Sequence, residues 1–309
     1  MLILVNPYAG GGTALKKWSA LDNSLLNFSD YRREYILEHP SMYASVIQSA
    51  YEYGERDFVA AGGDGTVNLV LNNLVRLCAQ NPRADLRLGA IGLGSSNDFH
   101  KPLCKNQISN GFPYKLDFHQ AQQRDIGCVQ FNQNGKSVKR YFLSNASIGV
   151  TAEANYSFNN PDLTLKFLKR VHTPSAILYA VLKTIFIYKN ISMTFGQLEK
   201  CEFTADITNL AVLKNPNISG NFCYQTFIPL DDGIFTIHLC HNMPTIDLLK
   251  LLWALSHGKF QSIDKRRSWS VSGFTVRAPI PFAIEFDGEV IKSMTAEFSV
   301  LPRFLKVCP

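Results

Sequence analysis

Short apolar runs and amphipathic stretches alternate along the first hundred residues. The apolar runs predict strands at 2–6, 31–37, 57–61 and 86–91. Between them, apolar residues recur at helical spacing and predict helices at 13–26, 42–53 and 66–78. Strands that alternate with helices in this way indicate an α/β domain with a parallel sheet covered by helices. Such sheets bind ligands beyond the carboxyl ends of their strands.

A different pattern begins after about residue 113, where apolar and polar residues alternate with a period of two. This pattern predicts strands at 125–131, 139–145, 201–213, 234–239, 268–277, 283–286 and 290–292. Helical spacing interrupts it at 151–188 and 244–257. We therefore predict a larger, β-rich and sandwich-like second domain with inserted helices.

The change of pattern sets the predicted domain boundaries. Residues 1–118 form the α/β domain and residues 119–299 the β-rich domain, while residues 300–309 are a terminal segment that could return to the first. A cleft between two domains is a common place for a small-molecule site, so we expect the site there.

Composition narrows the class of protein only slightly. The formal net charge of +6 and the pI of about 8.9 favour polyanionic partners, without choosing among phosphates, nucleic acid and anionic lipid. Seven cysteines, none of them at CxxC spacing, indicate neither a disulfide framework nor a zinc knuckle and fit a reducing cytosol. Short basic clusters are usually solvated faces; here they comprise Lys166, Lys169, Arg170, Lys265, Arg266 and Arg267.

The hydropathy pattern favours a protein that is not embedded in a membrane. The first residues run directly into an apolar strand, so we expect no secretory signal. The longest apolar stretch, 176–191, is interrupted by Lys183 and Lys189 and is short for a bilayer span. Any membrane contact is therefore expected to be peripheral.

Three segments of the predicted α/β domain place glycine directly after a strand. They are Asn6-Pro7-Tyr8-Ala9-Gly10-Gly11-Gly12, Gly62-Gly63-Asp64-Gly65-Thr66-Val67-Asn68 and Gly92-Leu93-Gly94-Ser95-Ser96-Asn97-Asp98-Phe99. Glycine between a strand and a helix lets backbone N–H groups approach an anion at the helix N-terminus. Taken singly, each segment can also be interpreted as a capped turn.

The carboxylate of Asp64 is unusual for a phosphate-binding loop. A bare carboxylate repels a triphosphate, but it fits if a divalent cation lies between the two. Thr66 carries a hydroxyl that can cap the helix or bond a phosphate oxygen. The third segment adds a second carboxylate, Asp98, beside the short polar side chains of Ser95 and Asn97.

Two Asp-Gly dipeptides mark the predicted β-rich domain, one in Asp231-Asp232-Gly233 and the other in Asp287-Gly288-Glu289. Asp-Gly between alternating apolar runs predicts a β-hairpin turn. A hairpin tip can also hold a carboxylate rigidly over a cleft. The structural and the functional interpretations are therefore compatible.

The order of these motifs resembles the catalytic domain of diacylglycerol kinases, sphingosine kinases and ceramide kinases. The motifs are NPxxG, GGDGT-x-N and G-S-x-N-D-F, and the pattern is most similar to the small soluble bacterial diacylglycerol kinases. GGDGT alone is shared with NAD kinases, whereas the other two motifs favour the lipid kinases. The resemblance covers nearly the whole chain.

The resemblance implies that the first domain binds ATP. The implied nucleotide-binding positions are Asn6, Pro7, Tyr8, Ala9, Gly10, Gly62, Gly63, Asp64, Gly65, Thr66, Val67, Asn68 and Ser95. Ser41 matches a family threonine only poorly, because the glycine that usually follows is replaced by Ser45. Ser95 also replaces a threonine but keeps the hydroxyl.

The resemblance also implies a Mg²⁺ site and a catalytic base. Asp232 would bind the structural Mg²⁺, with the backbone carbonyls of Pro229 and Ile234 as further ligands and with Asp64 and Asp98 linked through water. Glu289 matches the base that accepts the proton of the lipid hydroxyl, and Asp287 is its neighbour. Asp64 is the competing candidate for the base, because the corresponding aspartate has that role in sphingosine kinases.

The lipid would need an apolar slot, and helical stripes supply candidates, although such stripes are usually core. They are Ile177, Leu178, Val181, Leu182, Ile185, Phe186, Leu248, Leu249, Leu252, Trp253 and Leu255. Together with the nearby basic residues they predict a surface that contacts anionic lipid. The acceptor stays open among diacylglycerol, phosphatidylglycerol, undecaprenol-like alcohols and sphingoid bases.

The leading hypothesis is an ATP-dependent lipid kinase in the cytoplasm, bound peripherally to the inner face of the membrane, with no nucleic-acid partner. Homodimers occur among the relatives, so the resemblance leaves a homodimer open. One alternative is a kinase of a soluble acceptor, similar to NAD kinase. The other is a non-catalytic regulator that binds lipid or nucleotide, which the presence of all the carboxylates disfavours.

Overall fold

The computed structural model describes residues 1–21, 33–197, 200–219 and 222–309. The chain divides into two compact units. The first consists of Met1–Arg124 together with Arg303–Pro309, and the second of Asp125–Pro302. The predicted helix at 13–26 and strand at 31–37 extend in part outside the described residues.

The first unit is a parallel sheet with helices. Its strands are β1 (Leu2–Val5), β2 (Arg33–Ile36), β3 (Asp57–Gly62), β4 (Arg87–Gly92), β5 (Ile108–Ser109) and β6 (Phe112–Lys115). Its helices are α1 (Ala9–Gly12), α2 (Ala14–Ser19), α3 (Ser41–Glu52) and α4 (Asp64–Gln80). The parallel strands lie in the order β2, β1, β3, β4, and β6 pairs antiparallel with β4.

The register of the parallel strands aligns their carboxyl ends. Val5 pairs with Ala61, and Ala61 pairs with Ile91, so the loops after β1, β3 and β4 leave the same edge of the sheet. After the charged residues that begin β3 and β4, the three strands β1, β3 and β4 are apolar and buried, because both faces of a helix-covered parallel sheet are buried. The terminal residues Lys306 and Val307 add a parallel segment beside β4.

The second unit consists mainly of antiparallel strands. They are β7 (Gln122–Gln133), β8 (Lys136–Phe142), β9 (Asn145–Gly149), β10 (Ile191–Gln197), β11 (Lys200–Leu213), β12 (Asn217–Ile218), β13 (Phe222–Cys223), β14 (Phe235–His241), β15 (Arg266–Val271), β16 (Gly273–Phe286) and β17 (Glu289–Val307). The helices are α5 (Val150–Asn159), α6 (Leu163–Val171), α7 (Thr173–Ile187) and α8 (Thr245–Ser256). The first three residues of β7 and the last five of β17 belong to the first unit.

A ring of four strands organises the second unit. β9 pairs with β11 and β16, and β10 pairs with the same two strands, so β9, β11, β10 and β16 close on one another. β14 and β15 extend the sheet beyond β11. Buried aromatic and branched side chains from these strands, among them Phe195, Phe274 and Phe298, form the core.

Two strand predictions differ from the structure for physical reasons. The predicted strand at 139–145 is divided into β8 and β9, because the chain turns at Leu143 and Ser144. The predicted strand at 268–277 is split between β15 and β16. β16 continues past a register shift between Arg277 and Phe282, a stretch that includes Pro279 and Pro281, and proline breaks the alternation used to predict strands. β10 was missed entirely.

The helical pattern at 151–188 corresponds to three helices, α5, α6 and α7. Within the part of the chain that the structure describes, none of the helices is both long enough and apolar enough to span a membrane.

A buried histidine makes the stability of the second unit sensitive to acid. Burial lowers the pKa of His238 to about 4, and its ring stacks on Tyr224 with Nδ1 2.7 Å from Ser268 Oγ. As the pH falls from about 6.5 to 4, the unfolded chain binds a proton here that the native chain does not. We therefore expect up to about 3 kcal/mol of stability to be lost across this window.

The His238→Gln substitution tests this dependence. Urea unfolding at several pH values between 7 and 4 should show a flatter pH dependence in the variant than in the original chain, because glutamine does not titrate. An equally steep decline in both proteins would assign the acid sensitivity to other groups.

Candidate active site

A hydrogen bond links the loop after β1 to the start of α4. Asn6 follows β1, and its Nδ2 donates to the Thr66 hydroxyl at 2.9 Å while its Oδ1 accepts from the backbone N–H of Tyr8 at 3.0 Å. Thr66 therefore does not cap the helix, which begins at Asp64 with Gly63 as the N-cap residue. The motifs NPxxG and GGDGT are joined at the edge of the sheet.

Glycines allow the loops after β3 and β4 to pack backbone against backbone. The carbonyl of Gly62 accepts from the N–H groups of Leu93 and Gly94 at 2.7 and 3.1 Å. A Cβ atom on Gly94 would lie 2.4 Å from the Cα atom of Gly63, and one on Gly62 would lie 2.2 Å from Thr66 Oγ1. Side chains are excluded here, so the glycines keep the N-terminus of α4 open.

The loop after β1 includes the segment α1, which is not a regular right-handed helix, because three of its glycines lie in the left-handed region. Gly10, Gly11 and Gly12 have φ of 59°, 69° and 87°, which residues with a side chain rarely adopt. Side chains at Gly11 and Gly12 would meet open space, so their conformation rather than crowding favours glycine. Tyr8 in the same loop is exposed.

Lys17 is a functional candidate that the sequence patterns did not single out. It lies on α2, and its Nζ donates to the carbonyl oxygens of Leu93 and Gly94 at 2.9 and 3.1 Å. Partial burial lowers the pKa of Lys17. The lysine thus brings a cation to the loop after β4, at the edge where the glycine segments meet.

The two carboxylates of the first unit are anchored by neighbouring groups. Asp64 Oδ1 accepts from the backbone N–H of Phe99 at 2.9 Å, which connects GGDGT to the segment after β4. Asp98 is buried and pairs with Lys101 Nζ at 2.8 Å. These contacts fix the orientation of both carboxylates at the edge of the sheet.

Asn97 and Ser95 have different positions in the loop after β4. Asn97 adopts a left-handed conformation with φ of 48°, and its Oδ1 accepts from the N–H of Gly94 at 3.0 Å. It therefore fixes the turn. Ser95 is exposed, as expected for a residue that meets a ligand. Ser41 is also exposed and begins α3, where its hydroxyl lies 2.7 Å from His39 Nδ1.

In the second unit, Asp232 contacts a lysine ammonium. Lys214 Nζ donates to Asp232 Oδ1 at 2.9 Å, to Asp125 Oδ2 at 2.8 Å and to the carbonyl of Ile234 at 3.0 Å. In the described part of the chain these three oxygens are its acceptors, and the carbonyl of Pro229 is not among them. The sequence patterns singled out neither Asp125 nor Lys214.

The Asp287-Gly288 dipeptide forms the predicted hairpin turn. Phe286 pairs with Glu289 across it, and the two turn residues have φ of 45° and 89°, as a type I′ turn requires. The buried carboxylate of Asp287 accepts from three backbone N–H groups at 2.8 to 3.1 Å, those of Leu143, Ser144 and Asn145. Asp287 therefore holds the chain reversal between β8 and β9.

Glu289 and Glu285 lie in contrasting environments at the same hairpin. Glu285, which the patterns did not identify, is buried, and its two oxygens accept from the Ser147 hydroxyl and the N–H of Gly288, each at 2.7 Å. Glu289 is exposed at the start of β17. The turn thus presents the Glu289 carboxylate on a backbone fixed by its buried neighbours.

Residues 1–128 match the family model for the diacylglycerol kinase catalytic domain. A Bacillus subtilis protein named "Putative lipid kinase YtlR" is 23% identical, over 98% of this chain and 97% of its own. A diacylglycerol kinase of Staphylococcus haemolyticus is 26% identical, over 82% of this chain and 72% of its own. A diacylglycerol kinase structure from Bacillus anthracis superimposes with a TM-score of 0.66 at 15% identity, covering 99% of this chain and 95% of that one.

These matches indicate a class of protein and not a particular reaction. The fold is the sheet-rich fold of this kinase group, with an α/β domain at the N-terminus. The resemblance to diacylglycerol kinases is confirmed, and the prediction that the chain is an enzyme of the lipid kinase class is confirmed with it.

Proposed function

We propose that this chain transfers the terminal phosphoryl group of ATP, with Mg²⁺, to the hydroxyl group of a diacylglycerol-like lipid. The observation that carries the proposal is the glycine-packed edge of the first sheet. There the loops after β3 and β4 exclude side chains, and α4 begins at Asp64 with no side-chain cap at its N-cap residue Gly63. Lys17 contributes a cation to the same loops.

The residues of this edge fit the phosphates of a nucleotide. Backbone N–H groups at the start of α4 and in the glycine turn after β1 are suited to phosphate oxygens. Lys17 can neutralise part of the triphosphate charge. Mg²⁺ carried with the nucleotide would be held on the side of Asp64, with Asp98, which pairs with Lys101, linked through water, and would offset the charge on the transferred group. Ser95 and Asn6 border the same edge.

We assign the acceptance of the hydroxyl proton to Glu289. The side chain is exposed, whereas Asp287 in the same turn is saturated by three backbone N–H groups. An exposed carboxylate on a rigid turn is suited to reach an incoming hydroxyl, and reach matters before acidity. Asp287 then positions the turn, and Asp64 remains the competing base.

A lipid-panel kinase assay tests the proposed function. Full-length protein would be incubated with radiolabelled ATP, Mg²⁺ and mixed micelles containing diacylglycerol, phosphatidylglycerol, an undecaprenol-like alcohol or a sphingoid base. We expect the label to enter the organic phase with one of these lipids. If the label enters only aqueous NAD, the acceptor is soluble, and if no label moves, the chain is a non-catalytic binder.

An exposed apolar stripe supports action at a membrane surface. On α6, Leu163, Phe167 and Val171 lie four residues apart and therefore on one side of the helix, with 84%, 65% and 66% of each residue exposed. The exposed Lys166 and Arg170 adjoin them. Other exposed apolar side chains on α7 and α8 are Leu178, Phe186, Ile187, Ile246 and Trp253.

Some of the residues predicted to line the lipid slot are buried in the core, whereas others are exposed on the surface. Ile185, Leu248 and Leu255 are buried in an apolar core, so their role is packing. Leu178, Phe186 and Trp253 are exposed and are available to lipid. Helices with apolar and basic residues side by side bind anionic interfaces, and we infer that the enzyme binds the inner face of the membrane peripherally in this way.

We expect the Leu163→Ser/Phe167→Ser variant to bind vesicles about 10²- to 10⁴-fold more weakly, since burial of each apolar side chain contributes roughly 1.5–3 kcal/mol and each 1.4 kcal/mol is about tenfold in affinity. Sedimentation with phosphatidylglycerol vesicles measures this partition. Ile280→Ser is the matched control, because Ile280 is also exposed but lies on β16. Equal binding by the double variant and the original chain would place membrane contact elsewhere.

A further inference from the structure

A lysine lies where the resemblance implies a structural Mg²⁺. The implied ligands were Asp232 and the carbonyls of Pro229 and Ile234. In the structure, the ammonium of Lys214 contacts two of these three, Asp232 Oδ1 at 2.9 Å and the Ile234 carbonyl at 3.0 Å. Its third acceptor is Asp125 Oδ2 at 2.8 Å. The three N–H groups of a lysine ammonium match these three acceptors.

The lysine is held in place by the backbone on either side. It follows β11 directly, and its N–H donates to the carbonyl of Ser144 at 2.9 Å. Its side chain is 1% exposed, and that of Asp125 is fully buried. Such a side chain has little freedom to leave and admit a different cation.

The acidic loop is organised around this ion group. Asp125 Oδ2 also accepts from the N–H of Gly233 at 2.7 Å, and Asp232 Oδ1 also accepts from the N–H of Ile234 at 3.1 Å. The N–H of Asp125 donates to the carbonyl of Leu230 at 2.8 Å. The Asp-Asp-Gly loop is therefore tied to the start of β7 through one buried carboxylate and one ammonium.

A divalent cation does not fit the same position. Mg²⁺ requires about six oxygen ligands at roughly 2.0–2.1 Å, whereas Lys214 already places a positive charge within hydrogen-bond distance of the oxygens that would bind it. A second cation there would lie beside the buried ammonium of Lys214, and the repulsion at this distance is strong even though the side chain of Asp232 is one-third exposed. The residues present thus disagree with the implied metal site.

We propose that Lys214 is the resident cation of this loop, and that the Asp232 segment of this chain binds no structural Mg²⁺. The inference concerns the fold of the second unit and does not depend on the kinase activity. It implies that Mg²⁺ enters the reaction only with the nucleotide. It also implies that removing the lysine would leave two carboxylates arranged to accept a metal ion.

Thermal unfolding of the nucleotide-free chain, in EDTA and in Mg²⁺, tests the proposal. We expect the Tm of the original chain to be the same in both. The Lys214→Ala variant should melt roughly 5–15 °C lower in EDTA, because removing one partner of a buried ion pair leaves the other uncompensated. Mg²⁺ or Mn²⁺ should restore much of that loss by binding the native state.

Lys183→Ala is the matched control. Lys183 pairs with Asp162 at 2.6 Å, but both side chains are well exposed, and exposed pairs contribute little to stability. This variant should melt close to the original chain and should gain nothing from Mg²⁺. A similar loss and rescue in both variants would show a general metal effect and would overturn the proposal.

A direct measurement of metal binding tests the proposal even if Lys214→Ala does not fold. Mn²⁺ binding to the nucleotide-free original chain would be compared with binding to Asp232→Asn by electron paramagnetic resonance. Equal binding by the two supports the proposal, because Asp232 then holds no metal. Binding that is lost in Asp232→Asn would overturn it. So would a Tm of the original chain that rises in Mg²⁺ as much as that of Lys214→Ala, since a metal would then bind this loop beside the lysine.

Discussion

Replacing Glu289 with glutamine is expected to lower the rate of phosphoryl transfer by about 10²- to 10⁴-fold, the usual contribution of a positioned general base. The glutamine is isosteric and leaves the turn intact, because the turn is held by Asp287 and by Gly288, whose N–H bonds Glu285. Affinity for ATP should be unchanged, since the nucleotide is assigned to the first unit. Steady-state kinetics with the preferred lipid and equilibrium binding of ATP measure the two effects.

Glu297→Gln is the matched control for this experiment. Glu297 is also an exposed glutamate on β17 and loses the same charge on substitution. It should retain full activity. If Glu289→Gln also retains full activity, proton transfer does not belong to Glu289, and Asp64 becomes the leading candidate for the base. Loss of ATP binding in Glu289→Gln would instead mean that the substitution disturbs the nucleotide site.

Local patterns were enough to predict the first sheet and its glycine loops. Continuous apolar strands, amphipathic helices such as α4 and glycines at strand ends are short-range features, and each is readable from a few neighbouring residues. The Asp287-Gly288 turn was predicted for the same reason. β10 and the far part of β17 were not: β10 pairs with β16 and the end of β17 with β4, partners distant in sequence that alternation alone does not reveal.

The residues missed at the site act through distant contacts. Lys17 bonds carbonyls 76 and 77 residues away, and Lys214 bonds Asp125 across 89 residues. An isolated lysine in a sequence resembles any surface lysine, and only the fold brings it to its acceptors. Asp287 illustrates the opposite case. Its motif was interpreted as part of the catalytic site, and the fold adds hydrogen bonds across more than 140 residues that anchor the backbone.

The Gly94→Ala substitution is expected to have the largest effect on the first unit. Its Cβ atom would lie 2.4 Å from Gly63 Cα and 2.9 Å from Asn97 Oδ1, distances that force the two loops apart. Overpacking of this kind costs about 1–3 kcal/mol, and the movement displaces the start of α4 from its place beside the loop after β4. We expect a lower Tm and ATP binding weakened roughly tenfold or more, since tenfold corresponds to about 1.4 kcal/mol.

Gly65→Ala separates crowding from the loss of a glycine as such. Gly65 lies in the first turn of α4, and a Cβ atom there would meet open space. Alanine favours a helix over glycine by up to about 1 kcal/mol, so the Tm of the nucleotide-free protein should hold or rise slightly. Differential scanning fluorimetry with and without ATP compares the two variants. If Gly94→Ala melts and binds like the original chain, the close backbone packing is not what shapes this edge, and the nucleotide site would have to be built from other residues.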